Sequence, residues 1–133
     1  MSAEAITKAL LSADAAVTGI VGARIYPVVL PDKQPAPALV YDLIVDVSIG
    51  TISAAPYLGS KRARIELESY AADFAAAKAL QVAAVKAMRF QRGTVAGVTL
   101  VAVEPSSEGP NAWDPERRLF VCPAQVLVFW RET

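Results

Sequence analysis

Two carboxylate pairs are the residues best placed to do chemistry: Asp42 with Asp46, and Glu66 with Glu68. Both pairs have even spacing within segments that alternate like strands, so each pair shares one sheet face. Carboxylates held close can divide acid and base roles, because like charges push one pKa up. Arg62 and Arg64, however, alternate onto the same face as Glu66 and Glu68. Nearby cations oppose that upward shift, so the pairs read as solvated or interface ion pairs rather than a catalytic dyad. If the two segments pair antiparallel, Asp42 and Asp46 are expected to face Arg62 and Arg64. Exposed pairs of that kind contribute only ~0.2–1 kcal/mol each.

Other site chemistry has little material. The chain has no histidine, which removes the commonest general base, metal ligand and pH switch together. A single cysteine, Cys122, leaves no thiolate–imidazole cluster for zinc and no intrachain disulfide. It sits in an apolar run and is expected to behave as a small inert hydrophobe. There is no nucleophile elbow, phosphate loop or dinucleotide fingerprint. Gly19 and Gly22 are too sparse to cradle a phosphate. No catalytic, cofactor-binding or metal-binding residue is therefore assigned, and no enzyme is expected.

Contact residues are easier to nominate. Trp113 stands in a proline-bounded segment, where a Trp either folds back on the core or anchors a partner. Tyr57 and Leu58 tip an apolar connection that could reach a neighbouring subunit. Arg117 and Arg118 open the last strand and could meet a neighbour's acids, or water.

These residues must be carried by a small scaffold. The 133 residues suffice for one domain, 1–133, with a real core. Thirteen basic and thirteen acidic residues balance to zero net charge. That balance points to neither a nucleic-acid nor an anionic-membrane partner and favours self-association. The apolar fraction is 54%, but 25 alanines supply much of it. No apolar run reaches the ~18 residues a membrane span needs, and no secretory signal is read at the N-terminus.

Residues 2–21 read as helix capped by Ser2, with a break near Asp14 and an end at Gly19 and Gly22. Residues 24–31 read as a short edge strand, and 31–37 as a proline-rich connection. Residues 38–48 read as a half-buried strand with Leu39, Tyr41, Leu43, Val45 and Val47 on one face. A long connection, 48–60, leads to strand 61–71, whose inner face is Ala63, Ile65, Leu67 and Ser69. Asp73 caps a helix running to Arg89, with Phe74, Ala77, Leu80, Ala84 and Met88 as its buried stripe. Strand 96–104 places Val98, Leu100 and Ala102 on one face. A loop, 105–116, precedes strand 117–131, which is apolar on both faces and hence central. Pro123 should impose a bulge or register break there. The class is α+β: an antiparallel sheet of four to five strands, with an N-terminal helix and one long central helix packed on it.

The order and spacing carry a family likeness. Ala5-Ile-Thr-Lys-Ala-Leu-Leu is followed by Val21-Gly-Ala-Arg-Ile-Tyr-Pro and by the proline-rich Leu30-Pro-Asp-Lys-Gln-Pro-Ala-Pro-Ala-Leu-Val-Tyr. Arg64-Ile-Glu-Leu-Glu-Ser-Tyr then feeds Ala71-Ala-Asp-Phe-Ala-Ala-Ala-Lys-Ala-Leu, ahead of a β-rich end. The chain resembles the tail completion or tail terminator proteins of long-tailed phages and gene-transfer particles. The resemblance implies a structural virion protein at the head–tail junction, without cofactor. It implies a homo-oligomeric ring, typically hexameric, that meets the tail-tube protein and the head-side connector. DNA would pass through without sequence-specific binding. The competing expectations are an oligomeric α+β module holding an apolar ligand between sheet and helix, and a carboxylate enzyme.

Overall fold

A computed structural model describes residues 2–48 and 60–131. Tyr57 and Leu58 lie outside the described residues. The chain opens with α1 (Ala3–Ala13) and α2 (Ala15–Val21). The expected break is made by Asp14, which ends α1 and caps α2: its carboxylate accepts from the Ala16 and Val17 N–H groups. Ser2 caps α1 by accepting from Ala5 N–H at 3.2 Å. Gly19 lies inside α2, so it is Gly22, at φ 60°, that ends the element.

The strands are β1 (Ile25–Pro27), β2 (Ala38–Ser48), β3 (Ser60–Ala71), β4 (Gly93–Val95), β5 (Val98–Glu108), β6 (Ala112–Asp114) and β7 (Leu119–Arg131). Helix α3 (Phe74–Met88) joins β3 to β4. One sheet runs β1-β2-β3-β7-β5-β4, with β6 paired to β7. The α+β class stands, but the expected four to five strands become seven, and β1 pairs parallel to β2. Among the described residues two additional short strands, β4 and β6, account for the difference, β1 being the expected edge strand. Strands of three residues carry no readable period, so alternation cannot reveal them.

As expected of its apolar run, β7 is central, flanked by β3 on one side and by β5 and β6 on the other. Because β7 is antiparallel to both β3 and β5, those two strands run the same way. They are joined through α3, with β7 inserted between them. The register of β7 on β3 passes Pro123 unbroken, opposite Glu68. The predicted break falls on the other side, where pairing with β5 ends at Ala124 and pairing with β6 begins at Val121. Its carbonyl accepts from Gly109 N–H at 2.8 Å on that side, and its missing N–H faces the same gap.

Helix α3 lays Leu80, Ala84 and Met88 against Ile65, Leu67, Val126 and Val128 in one buried cluster, which α1 and α2 close with Ile6, Leu11, Val17 and Val21. Phe74 departs from the predicted stripe: it is exposed at the first turn, and Gln81 takes a buried place instead. Gln81 donates to the Pro123 carbonyl at 2.7 Å. A second cluster, Leu30, Ala38, Val40 and Leu119, lies on the opposite sheet face, so the first half of β2 is buried on both sides.

Asp73 caps α3 by accepting from Ala76 N–H at 2.7 Å. Asp73→Ala is expected to lower folding stability by about 1 kcal/mol, and Asp73→Ser to retain most of it. Urea midpoints at constant slope would measure both.

Bulges re-aim the side chains. In β2 the register jumps from Leu43↔Ile65 to Val45↔Arg64, leaving Ile44 as the extra residue. Val45 and Val47 therefore turn to the face of Arg64 and Arg62, and Asp46 turns to the helix side opposite Ala63. In β5 a jump between Leu100 and Ala102 puts Val103, not Ala102, with Val98 and Leu100 in the core. Strand β5 also continues through Pro105 to Glu108, where a loop was expected.

Candidate functional site

The carboxylates do not meet the arginines as predicted. Asp42 aligns with Glu66, and Asp46 with Ala63. Arg64 instead donates to Ser106 Oγ at 2.9 Å and Gln125 Oε1 at 3.0 Å. Asp42 meets Glu66 by the register of the first half of β2, whereas the Ile44 bulge moves Asp46 from the place opposite Arg62 to the one opposite Ala63. Asp42, Glu66 and Glu68 gather on the helix-free face, where burial and then the Glu66 charge push the Glu68 carboxyl above its ordinary value. Tyr70 donates to Glu68 Oε2 at 3.2 Å, which partly opposes that rise. Its own hydroxyl is pushed up to about 12 by burial and by Glu68.

A carboxyl with a raised folded pKa costs stability above that pKa, and the cost is relieved as pH falls toward the ordinary carboxylate value. Glu68→Gln should therefore stabilise the fold at neutral pH. The advantage should shrink on acidification, read as converging melting temperatures of variant and wild type. Among the described residues, no group of three or more His, Cys, Asp or Glu is placed to hold a metal ion. The Cys122 thiol is fully buried, with its pKa raised by that burial.

Trp113 is not on a free loop. It lies on β6 opposite Phe120 of β7, with ring centroids 4.8 Å apart. Phe120 in turn meets Phe74 edge-on at 6.0 Å. Trp113 remains 47% exposed, so the three rings form a half-open aromatic row beside the start of α3.

Arg117 and Arg118 precede β7 rather than opening it; the strand begins at Leu119. Arg117 is engaged within the chain. Its guanidinium lies 3.5 Å from Asp114 and 3.9 Å from Asp32, and donates to the Pro31 carbonyl at 3.4 Å. It thereby ties the proline-rich segment to the last turn, beside a cleft of about 460 Å³. Arg118 is exposed at φ 56°.

A patch that sequence reasoning missed surrounds Phe90, which is 74% exposed at φ 63° just past α3. Its N–H donates to the Val103 carbonyl at 2.9 Å. With Arg92, Val101, Val103 and Glu104 it lines a cleft of about 440 Å³. The available signal was a lone aromatic in the polar turn Arg89-Phe-Gln-Arg-Gly93. Across the sheet, Ile44, Val45 and Val47 are likewise exposed.

What the geometry offers is contact surface on a rigid sheet-and-helix scaffold: an aromatic row, an apolar strand edge and a turn led by an exposed Phe. Such surface suits a structural protein that assembles with others. The model of the family "Tail completion protein gp17" matches residues 4–122, and the chain belongs to that family of structural virion tail proteins. A chain of a solved structure, "Virion of native gene transfer agent (GTA) particle", matches with a TM-score of 0.74 at 18% identity. The match covers 98% of this chain and 95% of that one, which shows a shared fold. Comparison with curated proteins found no match.

Proposed function

We propose that copies of this chain close into a ring, a hexamer by the family resemblance, at the head-proximal end of the tail. The ring stops the tail tube, seats the head-side connector and lets DNA pass without reading its sequence. The family match over residues 4–122 carries this reading. The surfaces agree with it: a head-to-tail ring needs two unlike patches per subunit, and exposed apolar side chains occur on both β2 and the Phe90 turn. Zero net charge supports passage without tight DNA binding.

The ligand-module alternative has no comparable support. Leu80, Ala84, Met88, Ile65, Leu67 and Val126 are fully buried between sheet and helix, and both clefts described above lie outside that layer. Deleting the gene tests the proposal. Overlong or unjoined tails are expected, and joined particles with tails of normal length would overturn it.

A further inference from the structure

The two edges of the sheet match each other. On one side, β1 covers only Leu39–Tyr41 of β2, so among the described residues the edge beyond Asp42 has no strand beside it. Long uncovered edges invite another chain. The exposed apolar residues there are Ile44, Val45 (46%) and Val47, with the exposed Asp46 among them. On the other side, β4 covers only Val98–Leu100 of β5. Below it the Phe90 turn lies along Val103, flanked by the exposed Arg89 and Arg92.

The two patches stand at the same height. Asp46 aligns with Ala63, Ala63 with Val128, and Val128 with Val103, whose carbonyl holds Phe90. By the same ladders, Val47 stands level with Ala102 and Val45 with Glu104. Strand β2 runs with β7, whereas β5 runs against it. The β2 edge of one copy therefore runs antiparallel to β5 of the next, and at the height of Val103 it meets the Phe90 turn that is bonded to β5 there. Matching the patches requires no displacement along the strands. A head-to-tail contact closes into a ring when its rotation divides a full turn with no rise along the axis, and level patches meet the second of those conditions where the strands run along that axis.

The side chains fit the pairing. Ile44, Val45 and Val47 offer apolar surface to Phe90, Val101 and the cleft between them. Asp46 is turned to the helix side by the bulge, and Arg89 caps α3 on that side. Glu104 lies one row below Asp46, level with Val45, so the acid nearest the incoming aspartate is not directly opposite it.

We infer that the ring contact joins the β2 edge at Ile44–Val47 of one copy to the Phe90 cleft of a second copy, with Asp46 set against Arg89 and Arg92. This rests on the ring reading above and names its two patches.

The test uses the full chain, purified and in assembled particles. A variant carrying both Asp46→Cys and Phe90→Cys is treated with a short bis-maleimide; Cys122 is fully buried and stays in place. The expected result is a ladder of covalent multimers ending at the closed ring, with each single variant giving no ladder. Asp46→Lys should weaken ring assembly at least about tenfold. So should Arg89→Asp combined with Arg92→Asp, and all three changes in one chain should restore assembly. Circular dichroism confirms that each variant folds. Rings visible by negative stain that give no ladder would overturn this contact and leave the ring reading standing. No ring either in solution or on tails would overturn both.

Discussion

Trp130→Ala should cost about 3–5 kcal/mol of folding stability. That is a large share of the ~5–15 kcal/mol that holds a domain together, so the variant is expected to be partly unfolded near physiological temperature. Trp130 is the largest fully buried side chain, 1% exposed. It stands on the central strand between Lys61 of β3 and Leu100 of β5. Removing the indole therefore opens a cavity that three strands cannot close without breaking ladder bonds. The Lys61 amine, 5.2 Å from the ring centroid, would lose its cation–π partner as well. The indole N–H has no hydrogen-bond acceptor among the described residues, so Trp130→Phe should cost distinctly less than Trp130→Ala. Urea denaturation followed by circular dichroism measures the pair. A Trp130→Ala midpoint close to wild type would mean that the C-terminal end of β7 is not closely packed.

Leu80→Ala comes next, at about 2–5 kcal/mol. Leu80 is fully buried on α3 among Ile65, Leu67, Val126 and Met88. Val82, two residues along the same helix, is 54% exposed. Val82→Ala should leave stability within ~0.5 kcal/mol of wild type, with the better helix propensity of Ala offsetting the lost surface. The contrast separates packing from propensity, because both changes improve the local helix and only one leaves a cavity. Equal losses at both positions would mean that α3 does not hold the face described here.

How much was legible follows from range. Asp73 and Ser2 could be read as caps because a cap acts on the next three or four residues. The spans of β2 and β3 were readable because eleven or twelve residues of alternation leave little ambiguity. The partners of the charged residues were not readable. The strand register put Asp42 opposite Glu66, one inserted residue, Ile44, turned Asp46 to the helix side, and nothing in Leu43-Ile-Val-Asp marks which residue bulges. Trp113 shows the same limit of position: it was read on a loop, whereas the chain holds it on β6 against Phe120, with its ring 47% exposed.

By itself, then, the sequence determined the α+β class, the long strands, the capped central helix and the absence of histidine-based chemistry. Each of these is a matter of composition or of period along one segment. Only the tertiary structure decided which face each side chain took after a bulge and that Arg117 is engaged internally. It alone placed Asp46 level with Phe90 at opposite edges of the sheet. That alignment runs through three strand pairings between residues far apart in the chain, and no local pattern encodes a sum of registers.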